Sequence, residues 1–270
     1  MNIDLAEIVR RVGKYNRAAF VARPIPPTKA QRDELQRIYM RIVRGWQTRF
    51  RERILPAYER ALSELVTDDA NGLQFEIGLS ERQLAQLASA AGLSVDDWIK
   101  TTERWHRRQF AQAFVPTGVR LDTLLDRTDV RATLDAVLGE NVALIRSLND
   151  QMRNGISGAV FRSLQNRTTA RDLAREVRKL ASTGQSRAEL IAADQLQKLT
   201  GALDEQRQRQ VGIEKYKWRH SGKANPREEH KARDGETYAW NDPKIGDDKP
   251  GHAIRCGCRA QAVLEIDEEG

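Results

Sequence analysis

Gly212-Ile-Glu-Lys-Tyr-Lys-Trp-Arg-His-Ser221, followed by Asn225-Pro226-Arg227-Glu228-Glu229-His230, Asp234-Gly235, Pro250-Gly251-His252 and Cys256-Gly257-Cys258, is the stretch on which the fold turns. Both cysteines and three of the four histidines of the chain lie in it. Ile213, Lys215, Lys217 and Arg219 alternate with Glu214, Tyr216 and Trp218, a period of two that predicts a short strand starting at the Gly212 break. Asn225-Pro226 predicts a helix start, because Asn accepts orphan N–H groups and Pro pre-sets the first helical φ. His230 then falls on a short helix. Asp234-Gly235 suits the positive-φ positions of a type I′ turn, so Lys231 to Arg233 should lead through it into a second strand from Glu236 to Trp240. Cys256 to Ile266 gives a third extended run, and the whole reads as a small α+β module over 212–266.

The chemistry of this module centres on His230, His252, Cys256 and Cys258. Residues i and i+2 of a strand face the same way, and Gly257 lets the backbone curve, so both sulfurs can converge. His252, four positions before Cys256, keeps that parity if the segment is extended. With His230 this makes a His₂Cys₂ set, for which zinc is the fitting cofactor, and a structural site would support a module too small to be held by core burial alone. His220 competes as a ligand, and the plain alternative is two buried thiols beside a hydrogen-bonded His230. Cys-x-Cys is no disulfide framework, since neighbours that close bridge only under strain, so a reducing compartment is expected. Glu228, Glu229 and Asp234 could serve a metal nuclease, yet they suit a helix N-terminus and a turn equally well. Neither a Gly-rich phosphate loop nor a Gly-x-Ser-x-Gly turn occurs, and no enzyme activity is expected.

These features resemble the C-terminal module of the phage head morphogenesis (minor capsid) proteins, the family named for the F protein of phage Mu. The resemblance is carried by Gly212-Ile213 after a long helix, Trp218, Arg227-x-x-His230, Asp234-Gly235, Pro250, and Cys256-x-Cys258 followed by Ala260 and Val263. It extends upstream through Ser186-Arg187-Ala188-Glu189 and covers 168–264. Where this chain has Cys-Gly-Cys-Arg the family usually carries Cys-Arg-Cys, and an Asp common near Gly222-Lys223 is missing. The resemblance implies a structural virion protein present in few copies, located in the head interior or portal region and in the host cytoplasm during assembly. Its implied partners are the portal protein, other head proteins and packaged double-stranded DNA bound without sequence preference, with no membrane and no small-molecule substrate. The competing reading is a DNA-binding or metal-dependent DNA-processing protein.

Outward from the module, the chain reads as helical. With 40% hydrophobic, 31% charged and only 6% aromatic residues, it can form real cores in a slender, helix-rich architecture. No apolar run reaches the roughly eighteen residues that span a bilayer, and Met1-Asn2-Ile3-Asp4 begins no signal peptide. The net charge of +7 is concentrated at the front: residues 1–60 carry a balance of +8 and the remainder −1. Residues 1–28 read as an arm, amphipathic at Ile3 to Val12 and extended through the Pro24-Ile25-Pro26-Pro27 cluster. From Thr28, Leu35, Ile38, Tyr39, Ile42, Val43, Trp46, Phe50, Leu55, Tyr58, Leu62 and Leu65 keep 3–4 spacing, predicting a long helix kinked at Pro56. Its opposite face carries Arg37, Arg41, Arg44 and Arg51, either a phosphate-binding ridge or a solvated face braced by i,i+4 ion pairs.

Between 71 and 211, capping signals and glycines predict several separate helices. Asn71-Gly72 ends the first unit, Ser80-x-x-Gln83 starts a helix that Gly92 stops, and Ser94-x-x-Asp97 starts the next. Trp105-His106-Arg107-Arg108 reads as packing with surface charge rather than as a base-stacking platform. A pair of helices runs from Leu121 to Leu138 and from Val142 to Leu164, divided at Gly139. Thr169-x-x-Asp172 opens a short helix closed by Ser182-Thr183-Gly184, and Ser186-x-x-Glu189 opens a long one to Val211. Asp204 to Gln210 is polar enough to suggest an end that projects or meets another chain. The expectation is therefore a mainly α protein, an elongated helical N-terminal region followed by the small α+β module, divided into the arm at 1–28, a helical domain at 29–167, a connector at 168–211, the module at 212–266 and an acidic tail at 267–270.

Overall fold

The computed structural model describes residues 3–63, 67–122, 125, 130–223 and 225–266. Leu65, parts of the expected Leu121 helix and the acidic tail at 267–270 lie outside them. The protein is mainly α, with long helices followed by a small antiparallel sheet: α1 (Leu5–Val12), β1 (Ala19–Val21), α2 (Lys29–Arg49), a π-helical turn (Phe50–Ile54), α3 (Leu55–Ser63), α4 (Thr67–Ala113), a 3₁₀ turn (Val115–Thr117), α5 (Arg131–Gln165), α6 (Ala170–Gln210), β2 (Lys215–Arg219), α7 (Glu228–Ala232), β3 (Thr237–Ala239) and β4 (Arg259–Glu265). Among the described residues no helix is long and apolar enough to cross a membrane.

The breaks expected at Asn71-Gly72, Gly92, Gly139 and Ser182-Thr183-Gly184 fall inside continuous helices. In α4 the buried positions Leu73, Ile77, Ser80, Leu84, Ala88, Ala91, Val95, Trp98, Thr102, His106 and Phe110 recur every three or four residues. An unbroken buried stripe outweighs the modest cost of a mid-helix Gly, and Ser80 lies on that stripe instead of capping anything. Gly139 lies within α5 and Gly184 within α6 for a similar reason. Gly184 occupies the buried face, where an added Cβ would come 2.8 Å from Met152 Sδ and 3.3 Å from a Val43 methyl. It is a point of close helix approach and not a stop. Thr28 and Thr169 do cap as expected. Thr28 exchanges hydrogen bonds with Gln31, and Thr169 accepts the Asp172 N–H at 3.2 Å.

Two compact units form, and neither follows chain order. One, of 33–97 and 138–192, has only helices as regular elements among its described residues. Leu35, Tyr39, Ile42, Trp46, Ile54 and Tyr58 are wholly buried there. Each buried ring with a polar atom finds a partner: Tyr39 Oη donates to Asn141 Oδ1 at 2.8 Å, Trp46 Nε1 to Asn149 Oδ1 at 2.9 Å and Tyr58 Oη to the Thr168 carbonyl at 2.6 Å. Pro56 lacks an N–H and crowds the carbonyl four residues back, and the chain meets this with the wider π turn just ahead of it.

The other unit, of 1–32, 98–137 and 193–270, holds the sheet. All its pairings are antiparallel, in the order β1-β4-β2-β3. The module expected at 212–266 supplies three strands, and the fourth comes from the front of the chain, where Phe20 pairs with Leu264. A three-residue strand is too short to leave a periodic signal. The polar end of α6 does not project: Asp204, Arg207 and Gln208 are buried. Arg207 pairs with Glu103 at 2.6 Å, Asp204 with His106 at 2.8 Å, and Gln208 Nε2 donates to the Ala260 carbonyl at 2.9 Å. This also fixes His106 as a packed residue.

Candidate metal centre

The helix that carries His230 starts later than Asn225-Pro226 predicts. Arg227, in extended backbone, is the N-cap, and Lys231 belongs to α7, not to a strand leading into Gly235. Strand β3 pairs instead with β2, Tyr216 opposite Tyr238. Asp234 turns back to accept the His220 backbone N–H at 2.8 Å. The buried His230 ring then stands edge-on against Trp218, ring centroids 5.1 Å apart. Arg233 covers another part of the same indole, 5.0 Å from its centroid.

Cys256 and Cys258 reach His230 from the segment just before β4. That segment is held against the end of α6. Gly201 admits the Pro250 carbonyl, which would come 2.7 Å from an added Cβ. Lys249 Nζ pairs with Glu205 at 2.7 Å, Asp194 accepts the Arg255 N–H at 2.6 Å, and buried Arg259 donates to Thr200 Oγ1 at 2.8 Å. Both sulfurs are thereby presented to one nitrogen: Nδ1 of His230 lies 3.5 Å from Cys256 Sγ and 3.7 Å from Cys258 Sγ. The three candidate ligand atoms lie within 4.8 Å of one another, all three residues buried.

The surroundings favour thiolate at Cys256. The Gly251 N–H points at Cys256 Sγ from 3.4 Å. A hydrogen bond from Cys258 lowers the Cys256 thiol well below its usual range, helped by the backbone N–H groups of Gly251 and Cys258, while burial opposes. Cys258 moves the other way, raised first by that same bond and then by burial. The two thiols thus share a proton unevenly, and a soft divalent ion would replace it. An imidazole nitrogen with two sulfurs is a donor set that zinc accepts.

His230 is prepared for that role by Asp248, whose two carboxylate oxygens each lie 3.1 Å from Nε2. Asp248 also pairs with Arg233 at 2.7 Å. Sequence reasoning missed this aspartate, since its only signal is one acidic residue in a Pro/Gly/Asp loop eighteen positions from its partner. His252 is not drawn into the group. Residues 250–255 form turns rather than an extended run, so the parity that aligned His252 with the cysteines is lost. Its Nε2 is buried without a hydrogen-bond partner, and burial lowers its pKa. His220 also lies outside the converging group, and its Nδ1 accepts the Gly222 N–H at 3.1 Å.

Arg37, Arg41, Arg44 and Arg51, the expected phosphate contacts, are all exposed. Arg41 Nη1 donates to Ser94 Oγ at 3.1 Å, and Arg51 pairs with Glu52 at 3.3 Å. Arg41, Arg44 and Arg49 line one groove whose apolar floor includes Leu84 and Leu87.

Residues 154–261 match the family described as Phage Mu protein F like protein, the family that the sequence resembles. His230, Asp248, Cys256 and Cys258 all lie inside the matched span. An uncharacterized protein of Haemophilus influenzae is 32% identical over 154 residues, which are 57% of this chain and 34% of that protein, so the chain spans about a third of the length of this relative. No solved structure matches.

Proposed function

We propose, from the premise that residues 154–261 match the Phage Mu protein F like family, that the chain is a structural protein of a phage head, acting in head morphogenesis as a minor component near the portal. The family match is the observation that carries this reading. In it the buried His230, Cys256 and Cys258 hold zinc, which fastens the cysteine segment to α7. The exposed Arg37, Arg41, Arg44 and Arg51 meet packaged double-stranded DNA through its phosphates, without reading sequence.

The test is compositional. Procapsids and mature heads are purified from a phage carrying this gene, and the chain is quantified by mass spectrometry beside the portal protein. Recovery with both, at a small number of copies per portal, is expected. Finding the chain only in the cytosolic fraction would sink the proposal.

A further inference from the structure

We infer that the metal centre proposed above keeps its fourth position open to an anion of the phosphate class, taken in through the pocket that ends at the two thiols; the inference rests on the zinc reading. A tetrahedral ion held by His230, Cys256 and Cys258 has one position left. Neither remaining histidine of the module fills it. His220 and His252 both lie outside the ligand group, and Nδ1 of His220 is taken by the Gly222 N–H.

Beside the thiols and His230 is a cavity of about 270 Å³, lined also by His220, Ser221, Lys223, Arg227 and Arg255. Among the described residues, none that lines it is acidic. A divalent ion with two thiolates and a neutral imidazole has no net charge, so it exerts little long-range pull on an anion. The attraction must come from the rim, where three cations with no carboxylate among them focus a positive field into a concave site.

Two of those cations are fixed in place by backbone carbonyls. Lys223 Nζ donates to Arg255 O at 2.7 Å and Arg227 Nη2 to Ile254 O at 2.9 Å. Each bond uses one N–H, leaving two on the lysine and several on the guanidinium for a ligand. Gly257 leaves the lysine room. A Cβ there would come 3.0 Å from Lys223 Cε and 3.1 Å from Nζ, so the bare residue between the cysteines lets the ammonium lie over the bridge that joins them. His220, whose Nδ1 accepts the Gly222 N–H, adds its Nε2–H to the same lining. An ammonium, a guanidinium fork and a ring N–H around one ion suit a tetrahedral oxyanion with several acceptor oxygens better than a lone carboxylate. The shared chemistry is a phosphoryl group, from free phosphate or from the end of a DNA strand.

Cobalt-loaded full-length protein tests this, because an anion entering the coordination sphere changes the visible bands of the metal. Metal content is measured first. The protein is then titrated at constant ionic strength with inorganic phosphate, with acetate, and with a dinucleotide bearing or lacking a 5′-phosphate. A saturable spectral change with phosphate, at least about tenfold weaker with acetate, is expected, and a tenfold difference corresponds to about 1.4 kcal/mol. The double variant Lys223→Gln/Arg227→Gln should bind the same amount of cobalt and lose phosphate affinity about tenfold or more. A response to the 5′-phosphorylated dinucleotide stronger than to inorganic phosphate would assign the source as a strand end; the reverse order would assign free phosphate. Bound cobalt with bands that phosphate leaves unmoved, or that acetate moves equally, overturns the anion site and leaves the metal centre standing. Failure to bind cobalt or zinc overturns the metal centre and the anion site with it.

Discussion

Asp248 sets both carboxylate oxygens 3.1 Å from Nε2 of His230, which fixes the ring proton on that nitrogen and leaves the Nδ1 lone pair facing Cys256 and Cys258. A carboxylate in this position holds the ring's orientation and raises its basicity as a ligand. Asp248→Leu removes the acceptor and should weaken zinc binding by about 10- to 100-fold, measured by competition with a chromophoric chelator. Undiminished affinity would mean that Asp248 serves only the ion pair with Arg233.

On the zinc reading, removal of the metal should be felt as lost stability of the unit that holds the sheet. In that reading the thiols give up the proton they share and the three ligands converge only in the folded chain, so binding energy appears as folding energy. One zinc per chain and a melting transition lowered by chelator are expected, and Cys256→Ser should lower it without chelator. Less than about 0.1 zinc per chain with an unmoved melt would leave Cys256 and Cys258 as packed thiols.

Much of this centre was legible in the sequence, and what was missed has physical causes. His230, Cys256 and Cys258 stand out as rare residues in one segment, and Cys-x-Cys converges whether its backbone is a strand or a loop. Placing His252 depended on assuming extended backbone, and the turns at 250–255 remove that basis. In the helices, local punctuation was read as decisive where packing decides. Gly184 and Gly201 are glycines because another element approaches, not because the chain turns. Asp204 to Gln210 looked like a projecting surface because its partners, Glu103, His106 and Ala260, come from distant parts of the chain.

The arginine ridge makes a prediction that depends on salt. Arg37, Arg41, Arg44 and Arg51 are exposed, so replacing all four by Glu should leave the melt nearly unchanged. If they contact DNA phosphates, the wild-type affinity falls with salt by about 0.9 in the log–log slope for each contact, irrespective of sequence. The fourfold variant should lose most of that slope and most of the binding in a fluorescence anisotropy titration. Binding that survives the four changes would locate any DNA contact elsewhere.

Glu103 and Arg207 form a fully buried ion pair, 2.6 Å between Oε1 and Nη2, each side chain wholly shielded from solvent. Such a pair is costly to desolvate, so its presence is weak support for stability, whereas losing one member leaves a charge with no water to receive it. Arg207 also donates to Gln210 Oε1 at 2.6 Å, and Glu103 has a longer contact with Arg107 at 3.6 Å. The arginine therefore joins the end of α4 to the end of α6, the helix against which the cysteine segment is held. Arg207→Met should destabilise this unit by about 3–5 kcal/mol, because the Glu103 carboxylate is left buried. The double change Glu103→Leu/Arg207→Met should recover most of that loss, since two apolar side chains of similar volume do not carry the desolvation penalty. Chemical denaturation of the single and double variants measures both, and a double variant as unstable as Arg207→Met alone would show that the hydrogen bonds of the arginine, and not its charge, hold the two helices together.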